Sequence, residues 1–351
     1  MTRKVKAIGL VSGGLDSTLA LALVRRQGIE VKAVTFYTGF CITETQRRKG
    51  GRPDGSIPRN EALRAAADQE VEIEYVDISG PAYLDMLVHP RWGYGANANP
   101  CVDCRVFMMR KAKEIMEVEG CDFVFTGEVL GQRPKSQRRD TLRIIEREGG
   151  LEGRLLRPLS AKLLPPTTPE QEGLVDRSRL EDISGRSRHR QMALAGELGI
   201  GDYPQPAGGC CYLTDESFAR KFFDVLDARE ARGEERRLDR EDVILLSTGR
   251  HFRLSPRAKL VVGRTEVENA LLEHHVPGRA RLEAQVVLGP IALVEGTPTW
   301  EERLLAARIV ARYGKGKESP RVTVEWREGD LIETYEVEPE QDEARIESLR
   351  I

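Results

Sequence analysis

The sequence predicts an α/β fold, a doubly wound parallel sheet, followed by a separate C-terminal α+β domain. Three observations support this prediction. Short apolar segments alternate with helical ones between residues 4 and 165, a glycine-rich turn follows the first apolar segment, and the pattern changes after residue 242. In a doubly wound sheet, ligands bind where the parallel strands end at their carboxyl edge. The functional residues are therefore expected in the loops that follow the strands.

Four strands and three helices make up the predicted parallel sheet. Apolar and β-branched residues dominate the strand segments, and the segments between them have helical periodicity. The predicted strands are 6–13, 30–38, 70–78 and 122–128, and the predicted helices are 18–28, 60–69 and 106–120. The loops after the first strand, near Thr38 and near Gly127 should then line one crevice.

The loop after the first strand has the composition of a phosphate-binding turn. It reads Ser12-Gly13-Gly14-Leu15-Asp16-Ser17, and a helix follows directly. Glycines let backbone N–H groups approach phosphate oxygens, and a helix N-terminus adds unpaired donors and a positive dipole end. The lysine of a Walker motif is absent, which argues against enzymes that hold a γ-phosphate.

This loop resembles the SGGxDS signature of the PP-loop ATP pyrophosphatases at every fixed position. The resemblance implies cleavage of ATP between the α- and β-phosphates, with AMP transferred to a carbonyl oxygen. It implies ATP binding by Ser12, Gly13, Gly14, Asp16 and Ser17, with Asp16 beside Mg²⁺, and a second nucleotide-contacting turn at Gly127. Mg²⁺ is also expected on physical grounds, because the cleavage concentrates charge on phosphate oxygens.

Bulk properties exclude several classes of protein. The chain has 351 residues and a formal net charge of −2, so it is not a globally basic nucleic-acid binder. It contains no run of 18 apolar residues, and its N-terminal residues lead directly into the first strand. We therefore expect a cytoplasmic protein, in which six cysteines are better explained by chemistry or metal binding than by disulfides.

Two of these cysteines form a C-x-x-C pair, Cys101 and Cys104, placed just before a predicted helix. Such a pair can be a redox couple, half of a zinc site, or the ligands and nucleophiles of sulfur chemistry. The segment NPCVDCR resembles the PCxxC segment of MnmA-type tRNA thiouridylases, and the resemblance implies a third cysteine. Cys210 follows two glycines and is the favoured third cysteine, although Cys211 beside it leaves the choice open.

Two sulfur-transfer mechanisms fit three cysteines. In the first, Cys101, Cys104 and Cys210 ligate a [4Fe–4S] cluster, whose fourth iron carries a sulfide. In the second, Cys210 carries a persulfide and Cys101 resolves it as a disulfide, without metal. The cluster is favoured, because a persulfide mechanism needs only two of the three thiols.

The C-terminal pattern resembles the NFACT-R RNA-binding module. The resemblance lies in KLVVGRTEVEN, LGPIALVEG and AARIVARYGKGK, although 15 basic residues against 18 acidic ones from His251 onward do not by themselves indicate RNA binding. The expected domains are a PP-loop domain at 1–165, an extension with the distal cysteine at 166–226, a charged linker at 227–242, and the NFACT-R-like domain at 243–351. Candidate RNA contacts are Arg138 and Arg139, in a basic stretch, and Arg308, Arg312 and Lys315, predicted to share a helix face.

Together these features predict an AMP-forming tRNA sulfurtransferase, an enzyme that adenylates a base carbonyl oxygen and replaces it with sulfur. Its partners would be tRNA and a sulfur donor, such as free sulfide, a cysteine desulfurase or a carrier protein. One alternative is a PP-loop ligase of the deazaguanine nitrile synthase kind, which adenylates a small carboxylate and has a zinc site. Another is a non-catalytic RNA-binding adaptor.

Overall fold

The structure is a computed structural model that describes residues 3–51, 57–204 and 211–351. The chain divides into two compact units, residues 1–41 with 58–210 and residues 42–57 with 211–351. The elements up to residue 198 are β1 (Lys6–Leu10), α1 (Leu15–Arg25), β2 (Glu30–Tyr37), α2 (Ile42–Arg48), α3 (Glu61–Ala67), β3 (Ile73–Asp77), α4 (Pro81–Val88), α5 (Cys101–Val118), β4 (Phe123–Thr126), α6 (Arg139–Glu148), β5 (Leu155–Leu156), α7 (Thr168–Gln171) and α8 (His189–Leu198).

The first unit contains the predicted parallel sheet. Its strand order is β3-β2-β1-β4-β5, and every pair is parallel. Successive residues of β1 face opposite sides. Ala7 belongs to a core cluster with Leu21 of α1, whereas Ile8 belongs to one with Met109 of α5. Helices therefore cover both faces, which confirms the predicted doubly wound architecture.

The second unit is an antiparallel sheet with helices. Its later elements are α9 (Glu216–Ala231), α10 (Arg240–Leu246), β6 (Arg250–Ser255), β7 (Ala258–Val262), α11 (Glu266–Glu273), β8 (Ala280–Ala284), β9 (Ala292–Gly296), α12 (Trp300–Arg312), β10 (Val322–Glu328), β11 (Leu331–Val337) and α13 (Glu343–Leu349). The strand order is β11-β10-β8-β9-β7-β6, all antiparallel. Trp326 is fully buried in a core with Ile309 and Val310 of α12, and the predicted α+β class is confirmed.

Residues 227–242, expected to be a charged linker, lie within the second unit. Helix α9 continues to Ala231, and α10 begins at Arg240. The charges pair with each other: Arg229 binds both carboxylate oxygens of Asp242 at 2.7 and 3.0 Å, and Arg236 binds Asp227 at 2.7 Å. A mixed-charge run satisfied in this way folds against its own unit. In the described part of the chain, no helix has the length and apolarity needed to cross a membrane.

Candidate functional site

The glycine-rich loop joins β1 to α1 and has a backbone shape that only glycine allows. Gly13 has a φ of +77°, and a Cβ added to it would lie 2.1 Å from the backbone carbon of Glu61. Any side chain at this position would therefore strain the loop and collide with the start of α3. Gly14 occupies the N-cap of α1 without a capping side chain. The loop thus leaves the backbone N–H groups at the start of α1 available to an anion.

Two serines brace this loop from within. The Ser17 hydroxyl donates to the carbonyl oxygen of Gly14 at 2.9 Å and lies 3.3 Å from the Ser12 hydroxyl. The Ser12 N–H also donates to Ser17 Oγ, at 3.3 Å. Ser17 is buried, whereas Ser12 is exposed. Ser17 therefore holds the loop closed, and Ser12 is accessible to a ligand.

Asp16, at the second position of α1, has one oxygen committed and one without a partner. Its Oδ2 accepts a hydrogen bond from Gln132 Nε2 at 3.0 Å. Its Oδ1 is buried and has no hydrogen-bond partner among the described residues. A buried carboxylate oxygen without a donor is costly, and a hard cation would remove that cost. Asp16 therefore fits the Mg²⁺ ion expected from the sequence.

The turn after β4 lies directly against the start of α1. A Cβ on Gly127 would lie 2.5 Å from the Ser17 nitrogen and 2.6 Å from the Asp16 carbonyl carbon. Only glycine allows this approach. The next residue, Glu128, is buried, and its Oε2 accepts from Arg157 Nε at 3.2 Å. The predicted adjacency of the first loop and the Gly127 turn is thus present.

Cys101 and Cys104 lie in the first turn of α5, which begins at Cys101 itself. The sequence had predicted that this helix begins after the pair. Helix α5 connects β3 to β4 and packs along parallel strands, so its N-terminus lies at their carboxyl edge, on the side of the sheet where the nucleotide loop also lies. Residues three apart on a helix are neighbours on its surface. The two thiols therefore face the same region.

The two thiols have different surroundings. Cys104 Sγ lies 3.2 Å from the hydroxyl of Tyr83, a buried residue of α4. Burial raises the pKa of the Cys104 thiol, and the Tyr83 hydroxyl opposes part of that rise. Asp103, between the cysteines, accepts the backbone N–H of Arg91 at 2.7 Å and so fixes the preceding loop to α5.

A charged contact links the cysteine helix to the turn after β4. Arg105 follows Cys104, and its Nε lies 3.7 Å from Glu128 Oε1. Glu128 is also held by Arg157, and it follows Gly127, whose backbone lies against the start of α1. The buried carboxylate therefore ties the start of α5 to the turn that packs on α1. Thiols and nucleotide loop thus belong to one edge of the same sheet.

The third predicted cysteine, Cys210, lies outside the described residues. Cys211, the alternative, is half-buried. In the described ranges, no group of three or more His, Cys, Asp or Glu side chains is arranged to hold a metal. Cys101 and Cys104 alone do not fit a [4Fe–4S] cluster, which needs further ligands. The ligand set therefore depends on the segment around Cys210.

Some of the predicted RNA contacts are exposed, whereas others bind partners within the protein. Arg138 and Arg139 are exposed at the start of α6. In the second unit, Arg308 pairs with Glu340 at 3.3 Å, and Arg312 donates to the Glu340 carbonyl at 2.9 Å. Helix α12 ends at Arg312, so Lys315 lies beyond it. The expectation that Arg308, Arg312 and Lys315 share one helix face was wrong, because Gly314 and Gly316 follow the helix end.

Sequence reasoning missed the partners that complete the site. Gln132 donates to Asp16, and Tyr83 contacts Cys104. Glu128, held by Arg157, links the cysteine helix to the turn after β4. Gln132 follows the turn that was predicted to contact nucleotide, and its position there was the available signal. Tyr83 and Arg157 reach the site through tertiary packing, which no local pattern reports.

Comparison with known proteins gives matches to both parts of the chain. Residues 3–162 match the family described as "Thiamine biosynthesis protein (ThiI)", and residues 249–349 match the "NFACT protein RNA binding domain". A 4-thiouridine synthetase in complex with RNA and bound ATP is among the similar solved structures, at 20% identity and a TM-score of 0.33, covering 56% of this chain and 52% of that one.

The curated relatives are matched over short regions. The tRNA-specific 2-thiouridylase MnmA of Clostridium perfringens (strain 13 / Type A) is 31% identical over 135 residues, which is 36% of this chain and 36% of that protein. The 7-cyano-7-deazaguanine synthase of Geobacter metallireducens is 32% identical over 94 residues, 26% of this chain and 36% of that protein. The chain thus spans about a third of the length of these relatives. Residues 3–162, which contain the nucleotide loop described above, are thus similar to the ThiI family, and residues 249–349 are similar to the NFACT RNA-binding domain.

Proposed function

We propose that this chain is an ATP-dependent, AMP-forming tRNA sulfurtransferase that adenylates a base carbonyl oxygen and replaces it with sulfur. The observation that carries the proposal is the pairing of an intact phosphate loop with two thiols at one edge of one sheet. The ThiI match, the relatives named as thiouridylases and the NFACT match support tRNA as the substrate. A reaction on tRNA would take place in the cytoplasm.

The first half of the proposed reaction takes place at the nucleotide loop. The carbonyl oxygen of the base attacks the α-phosphorus of ATP, the bond between the α-phosphorus and the bridging oxygen breaks, and pyrophosphate leaves. Backbone N–H groups of Gly13 and Gly14, the start of α1 and the Ser12 hydroxyl would hold the departing pyrophosphate. Mg²⁺ at Asp16, positioned by Gln132, would offset the charge that develops on phosphate oxygens.

The second half replaces oxygen with sulfur. A sulfur nucleophile adds to the activated base carbon, and AMP leaves with the original oxygen, so a carbon–sulfur bond takes the place of the carbon–oxygen bond. A [4Fe–4S] cluster on Cys101, Cys104 and Cys210 would supply that sulfur as a bound sulfide. The alternative is a persulfide on Cys210 that Cys101 resolves. For the cluster, the sulfur donor would be free sulfide. For the persulfide, it would be a cysteine desulfurase or a carrier protein, which delivers sulfur already at the persulfide level.

The RNA would contact basic side chains of both units. Arg138 and Arg139 are exposed within the first unit, and Lys315 is exposed in the second unit. Arg308 and Arg312 belong to the same proposed set, although each would exchange an intramolecular contact for a phosphate.

The decisive experiment is ATP–pyrophosphate exchange with and without unmodified tRNA transcripts. Exchange that depends on tRNA is expected, because the adenylated group belongs to the RNA. The 7-cyano-7-deazaguanine synthase relatives give the ligase alternative its support. Exchange driven by a small carboxylate without tRNA would establish that alternative. Absence of exchange with every substrate would indicate an RNA-binding adaptor.

A further inference from the structure

Four cations of the second unit gather around the turn that joins α10 to β6, and we call them the basic cluster: Lys49, Lys221, Arg250 and Arg264. Lys49 donates to the carbonyl oxygen of Ser247 and lies 3.1 Å from Glu268. Arg264 binds the same Glu268 through Nε, at 2.9 Å. Lys221 reaches the carbonyl oxygen of Leu246, the neighbour of Ser247, at 3.4 Å.

In the part of the chain that the structure describes, the basic cluster has fewer acids than cations. Glu268 serves both Lys49 and Arg264, and these two cations hold the pKa of its carboxyl at about 2, although burial alone would raise it. Asp215, the other acid near Lys221, is committed to capping α9 through the Phe218 N–H, at 2.8 Å. Among the described residues, four cations therefore face two carboxylates, which leaves an excess of positive charge in this partly buried region.

Of the four cations, Lys221 is the one whose positive charge is least compensated. Its contact with Leu246 is long for a hydrogen bond, and no ion pair of Lys221 occurs among the described residues. Burial, followed by the charges of Arg264, Lys259 and Lys49, lowers the pKa of Lys221 to about 8. An ammonium in this position has donors to spare and would gain from an added anion.

Arg250 is stacked on an aromatic ring, and no ion pair of Arg250 occurs within the described ranges. Its guanidinium carbon lies 4.6 Å from the centroid of Tyr313. A guanidinium stacked in this way keeps the N–H donors at the edge of its plane available to an anion. Arg264 leaves 44% of its side chain exposed, so the cluster is open to solvent on that side.

We propose that the basic cluster binds a phosphate of the RNA backbone. Guanidinium and ammonium groups that repel one another in the absence of an anion form a site that a phosphate satisfies with charge-assisted hydrogen bonds. Lys49 comes from the segment between β2 and α3, so the chain that leaves the nucleotide-binding sheet supplies one of the four cations. This inference rests on the proposed function, because it takes RNA as the substrate.

The test compares the full-length protein with its Lys221→Gln and Lys221→Gln/Arg264→Gln variants, titrated with a tRNA transcript at several salt concentrations. Arg327→Gln is the matched control, since Arg327 is an exposed cation of the same unit paired with Glu325. We expect the double variant to bind about tenfold more weakly, with the slope of log affinity against log salt smaller by about one to two. Lys221→Gln alone should show part of that loss with an unchanged or higher melting temperature.

The outcomes separate this inference from the function it rests on. If wild type binds no tRNA, the proposed function fails. If wild type binds tRNA and the variants bind it with the same affinity and salt slope, the assignment of the basic cluster is overturned. A calorimetric titration with inorganic phosphate completes the test. If phosphate binds wild type but not the variants while tRNA affinity is unchanged, the cluster serves a small phosphate ligand, and the RNA assignment is again overturned.

Discussion

At the scale of single residues, Asp16 is the side chain at which the proposed nucleotide chemistry can be tested most directly. It has a buried oxygen without a partner and a second oxygen held by Gln132. We expect Asp16→Asn to abolish AMP formation from ATP and leave the fold intact, because it removes a charge while preserving volume. AMP release and the melting temperature should be measured together, with Asp68→Asn, an exposed carboxylate of the same unit, as the control. AMP production at the wild-type rate in Asp16→Asn would refute the assignment.

Lys221 makes a prediction about stability and pH. Its pKa falls from the ordinary 10.5 to about 8, chiefly through burial and then through Arg264, Lys259 and Lys49, with Asp215 opposing. Between pH 8 and 10.5 the unfolded chain therefore holds a proton that the folded chain has released, so the free energy of unfolding rises with pH in this window. Below pH 8 Lys221 is protonated in both the folded and the unfolded chain, so its effect on the free energy of unfolding no longer changes with pH.

Lys221→Met should raise the free energy of unfolding at pH 7 and flatten its increase between pH 8 and 10.5. Denaturant titrations at a series of pH values measure both effects. Lys111→Met, at an exposed position of α5 paired with Glu114, is the control for replacing a lysine with methionine. A variant of Lys221 with the wild-type slope across this window would show that the lysine is solvated.

At the scale of elements, the site depends on how closely the end of β4 meets the start of α1. A Cβ at Gly127 would lie 2.5 Å from a backbone nitrogen, and backbone cannot move aside as a flexible side chain can. Gly127→Ala should therefore destabilise the first unit by about 1–3 kcal/mol and weaken ATP binding, since it pushes the helix start away from the phosphate site.

Gly196→Ala is the matched control for Gly127→Ala. Gly196 lies within α8, and a Cβ there meets no atom within 4 Å. That substitution should stabilise the protein by about 0.5–1 kcal/mol through helix propensity and leave ATP affinity unchanged. Thermal unfolding and nucleotide titration of the two variants distinguish a local clash from a general effect of replacing glycine. Equal behaviour of the two would contradict the close approach.

The elements also show how far sequence reasoning reaches. The strands of the parallel sheet were predictable because apolar residues at their two faces follow a local pattern, as Ala7 and Ile8 illustrate. The start of α5 was placed late because Pro100 at its N-cap offers no capping side chain. Residues 227–242 were predicted to be a linker because charged residues dominate the segment. The ion pairs that fold it, such as Arg229 with Asp242, connect positions 13 residues apart, which a local pattern does not reveal. The contact of Tyr83 with Cys104 depends on the packing of α4 on α5, which composition does not encode.

At the scale of the whole molecule, the proposed sulfur chemistry requires thiols from distant parts of the chain to act together. Cys101 and Cys104 lie on α5, whereas Cys210 lies more than a hundred positions later, outside the described residues. If the three ligate a [4Fe–4S] cluster, anaerobically purified protein should be brown and contain iron and sulfide in about equal amounts. Replacing any one of them with Ala should remove both, because the cluster loses a ligand.

Cys121→Ala is the control for these three variants. Cys121 precedes β4, at the amino end of the strand and away from the carboxyl edge, and burial raises the pKa of its thiol. Iron and sulfide content in Cys121→Ala should equal that of wild type. Stoichiometric zinc in place of iron would favour the ligase alternative. Metal-free protein that thiolates tRNA, loses activity in Cys101→Ala or Cys210→Ala and keeps it in Cys104→Ala would show that the persulfide route operates, because that route requires only two thiols.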